Sequence, residues 1–290
     1  MRRQLLTEAP ISRLAIWARR IALFSLAATL IAVIIVRSGA LEIVPALSTL
    51  AGALVLACVA ILLAFGAGIV IWRHGIGGGR HAVTALLIGA ALIAYPTYLA
   101  VRASRLPAIY DITTDPIDPP QFDAIARLRP RDANPITYAG LYAAEQQHTA
   151  YPDIEPDDTT ATPQDAYAAA MKVIAKRKWR VVDSRLPQGP LPRVIDARAS
   201  QPTSVRDGII EAVARTPILG FRDDVVVRIR PTVDGARIDV RSASRYGRHD
   251  LGTNAKRVRS LIDDIDDVLS VPQKPAPPPK PAAKGNQAKR

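Results

Sequence analysis

Residues that could bind or process a ligand are concentrated in two segments, 222–224 and 241–254. They combine guanidinium, carboxylate, hydroxyl, amide and imidazole groups within a short stretch of chain. Arginine forks and hydroxyls suit an anion or a carbonyl oxygen, and a helix amino terminus adds unpaired N–H groups. We therefore predict a binding site where a sheet edge meets a helix, formed by Arg222, Asp223, Asp224, Arg241, Ser244, Arg245, Asp250 and Asn254.

A purely structural interpretation of the same residues stays open. In it, Asp250 caps the helix and Arg241 pairs with Asp223 or Asp239 on the sheet surface. A row of charges on one sheet face is usually solvated, so this interpretation requires no ligand.

Catalysis has weak candidates in His249, Ser242 and Asp250. His249 is the best base, but adjacent side chains need not face each other, and the sequence has no G-x-S-x-G nucleophile elbow. Histidine spacing does not fit a metal site, and the only cysteine, Cys58, lies in an apolar segment. We expect no cofactor and no metal, and an enzyme is the second hypothesis.

The charge distribution argues against nucleic-acid binding. The net charge of +12 divides into +7 over residues 1–102, zero over 103–271 and +5 over 272–290. A protein that displaces counterions from phosphates needs clustered positive charge on the folded domain itself. Here the excess lies beside the apolar segments and on the carboxyl-terminal tail.

Three long apolar segments in residues 1–102 predict a membrane anchor. They are Ile21–Val36, which reaches sufficient length with residues 16–20, a segment within Ile43–Trp72, and Ala82–Val101. About 20 apolar residues cross a hydrocarbon core of about 30 Å. A row of small residues, Ala60, Ala64 and Gly68, would let another helix approach closely.

Arginine asymmetry predicts the orientation of the anchor. Five arginines precede the first span and two lie in the loop 73–80, whereas Arg37, Arg102 and Arg105 flank the opposite ends. Basic residues favour the cytoplasmic side, so the carboxyl-terminal domain is expected outside the cytoplasm, on the inner membrane. A cleaved signal peptide ending near Ala40 is an alternative for the first span and leaves the domain on the same side.

Residues beyond the anchor divide into three parts by composition. Segment 103–160 is rich in Pro and Asp and predicts an extended strap, and 161–271 predicts a soluble α+β domain. Segment 272–290 consists mainly of Pro, Ala and Lys and predicts a disordered basic tail.

Periodicity within 161–271 predicts a small antiparallel sheet packed by helices. Thr162-Pro163 marks a helix start, and a closing helix is expected from about Asp250 to Leu269. Strands are expected at Trp179–Asp183, Ile209–Arg215, Asp224–Arg230 and Ala236–Arg245. Val233-Asp234-Gly235 is expected to turn between the last two strands. One sheet face is apolar and the other carries Arg and Asp.

Several blocks of residues resemble a known family. Segments 221–228, 238–245 and 247–255, together with Asp111-Ile112-Thr113-Thr114-Asp115 and Asp118-Pro119-Pro120, are similar to the bacterial domain-of-unknown-function family numbered 1499. The resemblance covers roughly 105–270. It implies an envelope protein, often membrane-tethered, without an established reaction.

These observations predict a membrane-anchored envelope protein whose extracytoplasmic domain binds a ligand, a lipid or a partner. The expected partners are membrane lipid, another envelope protein or a cell-wall component, and not nucleic acid. The alternative is a hydrolase or transferase that acts on an envelope component.

Overall fold

The computed structural model describes residues 10–39, 42–188 and 206–270. The chain begins with three long helices, α1 (Arg13–Ser38), α2 (Ile43–His74) and α3 (Gly79–Ala103). Each is long and apolar enough to cross a membrane, which confirms the three apolar helices predicted from the sequence. The predicted tail 272–290 lies outside the described residues.

Small residues let the three helices pack closely. Ala18, Ala22, Ala60, Ala64 and Ala85 are buried together in the cluster where α1, α2 and α3 meet. Because alanine side chains end at Cβ, the helix backbones can approach each other closely. Two residues of the small-residue row on α2 therefore serve contacts within this chain.

The remainder of the chain forms one mixed unit of strands and helices. Its elements in chain order are β1 (Asp111–Thr113), α4 (Ala124–Leu128), α5 (Leu141–Ala150), β2 (Asp157–Thr159), α6 (Pro163–Lys176), β3 (Arg180–Arg185), β4 (Gly208–Arg215), β5 (Arg222–Pro231), β6 (Ala236–Ser244) and α7 (Thr253–Ser270). The strand order is β1-β6-β5-β4-β3, with β2 also paired to β6, and every pairing is antiparallel. The predicted α+β class is confirmed.

The first face of the sheet is apolar and is covered by α6 and α7. Val225, Val227 and Val240 on the strands pack against Ile174 of α6 and Leu261 of α7. Helix α6 begins as predicted, because the Thr162 hydroxyl accepts the Asp165 N–H at 3.1 Å.

A glycine turn joins β5 to β6, as the sequence predicts. The Thr232 N–H donates to the Gly235 carbonyl at 3.0 Å. A Cβ atom on Gly235 would lie 2.1 Å from the Thr159 carbonyl oxygen at the end of β2. Only glycine fits here, since β2 docks directly against this turn.

The second face of the sheet carries the predicted row of charged side chains, but that row is not exposed to solvent as expected. Its charged side chains, including Glu211, Asp239 and Arg241, are buried. Residues 115–138, here called the covering segment, lie across them and contribute Phe122, Ile125 and Ile136 to a second apolar cluster. The segment that we expected to be an extended strap therefore supplies two strands, two short helices and the cover of a sheet face.

Glu211 shows how this cover is attached. Its carboxylate accepts the backbone N–H groups of Asp123, Ala124 and Ile125 at 3.0, 3.0 and 2.8 Å. These donors lie at the start of α4, where N–H groups have no partner within the helix. A buried carboxylate on the strand thus fixes the covering segment by its main chain.

Candidate functional site at the junction of helices and sheet

The predicted site residues are divided between the two faces of the sheet. Side chains of successive strand residues point to opposite faces. Asp223, Ser242 and Ser244 consequently face α7, whereas Asp224 and Arg241 face the covering segment. Arg245 follows β6 and its guanidinium also lies on the covering side, bonded to Asp224. The eight residues do not converge on one pocket.

On the α7 side, Asn254 organises a closed hydrogen-bond cluster. Its side-chain oxygen accepts the Ser242 hydroxyl at 2.8 Å, and its amide donates to the Ser244 hydroxyl at 3.0 Å. Arg257 donates to Ser242 at 2.9 Å and to Asp223 at 2.5 Å. These buried polar groups satisfy one another and fasten α7 to the sheet.

Asp250 holds the start of α7. Its carboxylate accepts the N–H groups of Gly252 and Asn254, both at 2.8 Å. Burial raises the pKa of the Asp250 carboxyl, and these two donors act in the opposite direction. The capping role considered from the sequence agrees with these contacts.

His249 connects the sheet unit to the end of α3. Its Nε2 lies 3.0 Å from the Ala103 carbonyl and 3.2 Å from the Leu106 carbonyl, while its Nδ1 accepts the Leu251 N–H at 2.9 Å. This pattern corresponds to the neutral tautomer with the proton on Nε2. Both ring nitrogens are engaged by backbone groups and Ser242 donates to Asn254, so these three residues do not form a Ser–His–Asp relay.

On the opposite face, Arg241 makes a buried ion pair with Asp111. Nε and Nη2 donate to the two carboxylate oxygens at 3.0 and 2.7 Å. Further donors reach the carbonyls of Pro120 and Ile136 at 3.0 and 2.8 Å. The pairing with Asp223 or Asp239 on the surface is therefore wrong, because β1 pairs with β6 and brings Asp111 to this arginine.

Aromatic rings complete the environment of Arg241. Its guanidinium lies 4.8 Å from the centre of the Phe122 ring and 5.6 Å from that of Tyr138. Burial raises the pKa of Tyr138 to about 12, so its hydroxyl stays protonated. This arrangement holds the sheet cover in place and leaves Arg241 without access to a ligand.

Two neighbouring cavities lie where the sheet unit meets the long helices. The first, here called the junction cavity, has a volume of about 350 Å³. It is lined by apolar and aromatic residues of α2, α3 and the turn 216–221, among them Leu47, Tyr95, Tyr98, Leu99, Ile218, Leu219 and Phe221. Arg102 and five of the predicted site residues also line it, namely Arg222, Asp223, Ser244, His249 and Asp250.

The turn 216–221 between β4 and β5 brings the sheet unit into contact with α1. Arg37 Nη1 donates to the Pro217 carbonyl at 2.5 Å and to the Ile218 carbonyl at 3.3 Å. A Cβ atom on Gly220 would lie 3.1 Å from Cγ of Arg37, so the turn packs closely against the end of α1. Ile218, in the same turn, is 45% exposed.

The second cavity, here called the loop groove, has a volume of about 680 Å³. It lies between the ends of α1 and α2 and residues 130–132, and it shares Phe221, Arg222 and Tyr246 with the junction cavity. Its lining includes the four arginines Arg37, Arg131, Arg222 and Arg245.

Sequence reasoning identified part of this junction and missed the rest. It singled out Arg222 and His249 but not Arg131 or the turn 216–221. The turn could have been found from its sequence, because Pro217-Ile218-Leu219 forms an apolar tip between two strands. Such a tip usually packs against an apolar surface rather than facing water. No sequence signal indicated that α2 and α3 would line the same cavity as β5.

Fold and cavities together define a class of protein, an α+β sheet domain held against one end of three long apolar helices. The chain belongs to the family described as Protein of unknown function (DUF1499), which matches residues 111–265, more than half of its length. The resemblance drawn from the sequence is thereby confirmed, and segment 111–160 lies within the family domain. No curated protein and no solved structure matches the chain.

Proposed function

We propose that the protein is a membrane-anchored lipid-binding protein, in which the junction cavity takes the hydrocarbon chain of a membrane lipid. The cavity supports this proposal by its position and its lining. Tyr95 and Tyr98, 41% and 55% exposed, lie near the end of α3, and Leu47 lies near the start of α2. With α1, α2 and α3 in a bilayer, these residues are at the lipid–water boundary, where aromatic side chains are enriched.

The balance of apolar and charged residues favours an amphiphile over a fully polar ligand. Leu99, Leu219 and Phe221 offer apolar surface, while Arg102 and Arg222 stand at the same cavity. Each CH₂ group of a chain removed from water contributes about 0.8 kcal/mol. A chain segment of about six carbons would thus contribute about 5 kcal/mol to binding.

The proposal includes an extracytoplasmic location for the sheet domain. Arg13, Arg19 and Arg20 lie at the end of α1 away from the domain, and Arg73 and Arg80 flank the loop on that side. This asymmetry favours a cytoplasmic location for that end. Alkaline phosphatase fused after Arg105 and after Arg290 should be active at both positions. A cytoplasmic reporter active at those positions would reverse the assignment.

Native mass spectrometry of the full-length protein, extracted with a mild detergent, tests lipid binding. We expect the wild type to retain a lipid and Leu47→Trp to lose it, because the larger side chain fills the junction cavity. Leu30→Trp on α1 is the matched control, since Leu30 is 58% exposed and does not line the cavity. A wild type without lipid, or equal retention by both variants, would refute the proposal.

A further inference from the structure

The loop groove differs from the junction cavity in its charge. Four arginines line it against two carboxylates, Glu42 and Asp132. The Tyr246 hydroxyl lies 3.5 Å from the Asp132 carboxylate. Glu42 precedes α2, whose first N–H groups add partial positive charge to the same groove. The groove therefore has an excess of positive charge.

Two of its arginines are available to a ligand. Arg131 and Arg222 are exposed, and neither side chain makes a hydrogen bond or an ion pair with another residue in the described parts of the chain. Partial burial and the neighbouring Arg215 and Arg245 lower the pKa of Arg222. Desolvation is the larger of these causes, and repulsion by the neighbouring guanidinium groups adds to it.

A third arginine, Arg129, directly precedes Pro130 of the groove lining but is not itself a lining residue. Its side chain is 5% exposed, and Nε lies 3.0 Å from Asp224. The same carboxylate also binds Arg245, with Nη2 at 2.7 Å and Nε at 2.9 Å. Two guanidinium groups thus share one buried carboxylate.

The outer nitrogens of Arg129 have no acceptor. Nη1 and Nη2 are both buried, and among the described residues neither has a hydrogen-bond partner. Buried charged donors without an acceptor are strongly disfavoured. The pair Nη1 and Nη2 forms the planar fork that matches two oxygens of a phosphate or carboxylate. Arg129 does not line the groove, however, so the exposed Arg131 and Arg222 carry the assignment of an anion there.

We propose that the loop groove binds the phosphate head group of an anionic phospholipid whose chain occupies the junction cavity. This inference rests on the proposed function, because it assigns the head group of the same lipid. Arg222 lines both cavities and lies where the two parts of one lipid would meet. Phe221 and Tyr246 form the remainder of the shared wall.

A competition experiment tests the selectivity. The delipidated full-length protein in a neutral detergent is mixed with equal amounts of phosphatidylglycerol and phosphatidylcholine, and bound lipid is counted by native mass spectrometry. Both lipids carry a phosphate, but the choline of phosphatidylcholine would place a second cation beside the four arginines. We therefore expect about a tenfold preference for phosphatidylglycerol, which corresponds to about 1.4 kcal/mol. Arg131→Gln and Arg222→Gln should together bring the preference close to parity.

Arg127→Gln is the matched control, because Arg127 is also exposed and also carries one charge but lines neither cavity. It should keep the preference of the wild type. Circular dichroism establishes that each variant is folded.

The outcomes separate this inference from the proposed function. Equal binding of the two lipids by the wild type overturns the head-group assignment and leaves chain binding intact. Binding of neither lipid refutes both. Inorganic phosphate at millimolar concentration should compete weakly, because it lacks a chain. If phosphate displaces phosphatidylglycerol completely, the groove is a site for free phosphate and the lipid assignment is wrong.

Discussion

Replacing Asp111 by asparagine removes the carboxylate that pairs with a fully buried arginine, the single ion-pair partner of Arg241 within residues 10–39, 42–188 and 206–270. Arg241 is 0% exposed, and Asp111 receives two of its N–H groups at 2.7 and 3.0 Å. The variant keeps the volume of the side chain but places an amide beside a guanidinium. Breaking one partner of a buried ion pair costs about 3–5 kcal/mol. The carbonyls of Pro120 and Ile136 continue to accept hydrogen bonds from Arg241 but carry no full charge. We therefore expect Asp111→Asn to lower the free energy of unfolding by about 3–5 kcal/mol.

A matched variant shows what an exposed pair contributes. Asp153 binds Arg259 through a bidentate pair whose side chains are 56% and 38% exposed. Solvent screens such pairs, so Asp153→Asn should lower the free energy of unfolding by less than about 1 kcal/mol. The difference between the two Asp→Asn variants measures the effect of burial.

Urea unfolding of the full-length protein in detergent provides the measurement. Of the three tryptophans, Trp179 lies outside the apolar helices and packs against the first-face core, 5.2 Å from Arg177. In a Trp17→Phe, Trp72→Phe background its fluorescence reports unfolding of the sheet domain alone. A double-mutant cycle with Arg241→Met should give a coupling energy above about 2 kcal/mol. If Asp111→Asn costs no more than Asp153→Asn, the buried pair does not stabilise the domain more than an exposed pair does.

Three further perturbations test other parts of the fold. Partial burial and the adjacent Asp157 raise the pKa of Asp266 to about 6, so the folded state binds more protons than the unfolded state between about pH 4 and 6. The free energy of unfolding, measured by urea titration, should therefore fall by about 1 kcal/mol as pH rises through this window, after allowance for solvent screening. It should fall less in Asp266→Asn. An equal dependence of stability on pH in both proteins would contradict the interaction between Asp266 and Asp157. Gly235→Ala should destabilise the domain by about 2 kcal/mol or more, because the new Cβ meets the Thr159 carbonyl; an unchanged thermal midpoint would show that β2 does not dock there. Glu211→Gln should lower the free energy of unfolding by about 2 kcal/mol, measured by urea titration, because a neutral amide replaces a carboxylate that accepts three N–H groups. An unchanged free energy of unfolding would mean that α4 is attached by other contacts.

Local patterns in the sequence were sufficient for most of the elements. The Thr162-Pro163 start of α6, the Val233–Gly235 turn and the apolar stripe of α7 depend on residues close together in the chain. Their physical causes are capping, turn geometry and helical periodicity, which act over a few residues. The three apolar helices follow from length and composition alone.

The burial of the second sheet face could not be predicted in this way. Alternation showed that Arg228, Asp239 and Arg241 share a face, and solvation is the usual fate of such a face. Whether a charge is solvated depends on what covers it, and the cover here comes from residues 115–138, about a hundred positions earlier in the chain. The proline-rich composition of that segment indicates irregular structure but not the surface on which it lies.

The candidate site shows the same division. Composition by itself determined that an apolar helical third precedes a charged α+β domain, because the preference of each segment for water or hydrocarbon is a property of its own side chains. Only the tertiary structure decided that Arg131, Arg222 and Leu47 line adjoining cavities. Their meeting depends on how the turn 216–221 docks against the ends of α1, α2 and α3, and such long-range contacts have no signature in local periodicity.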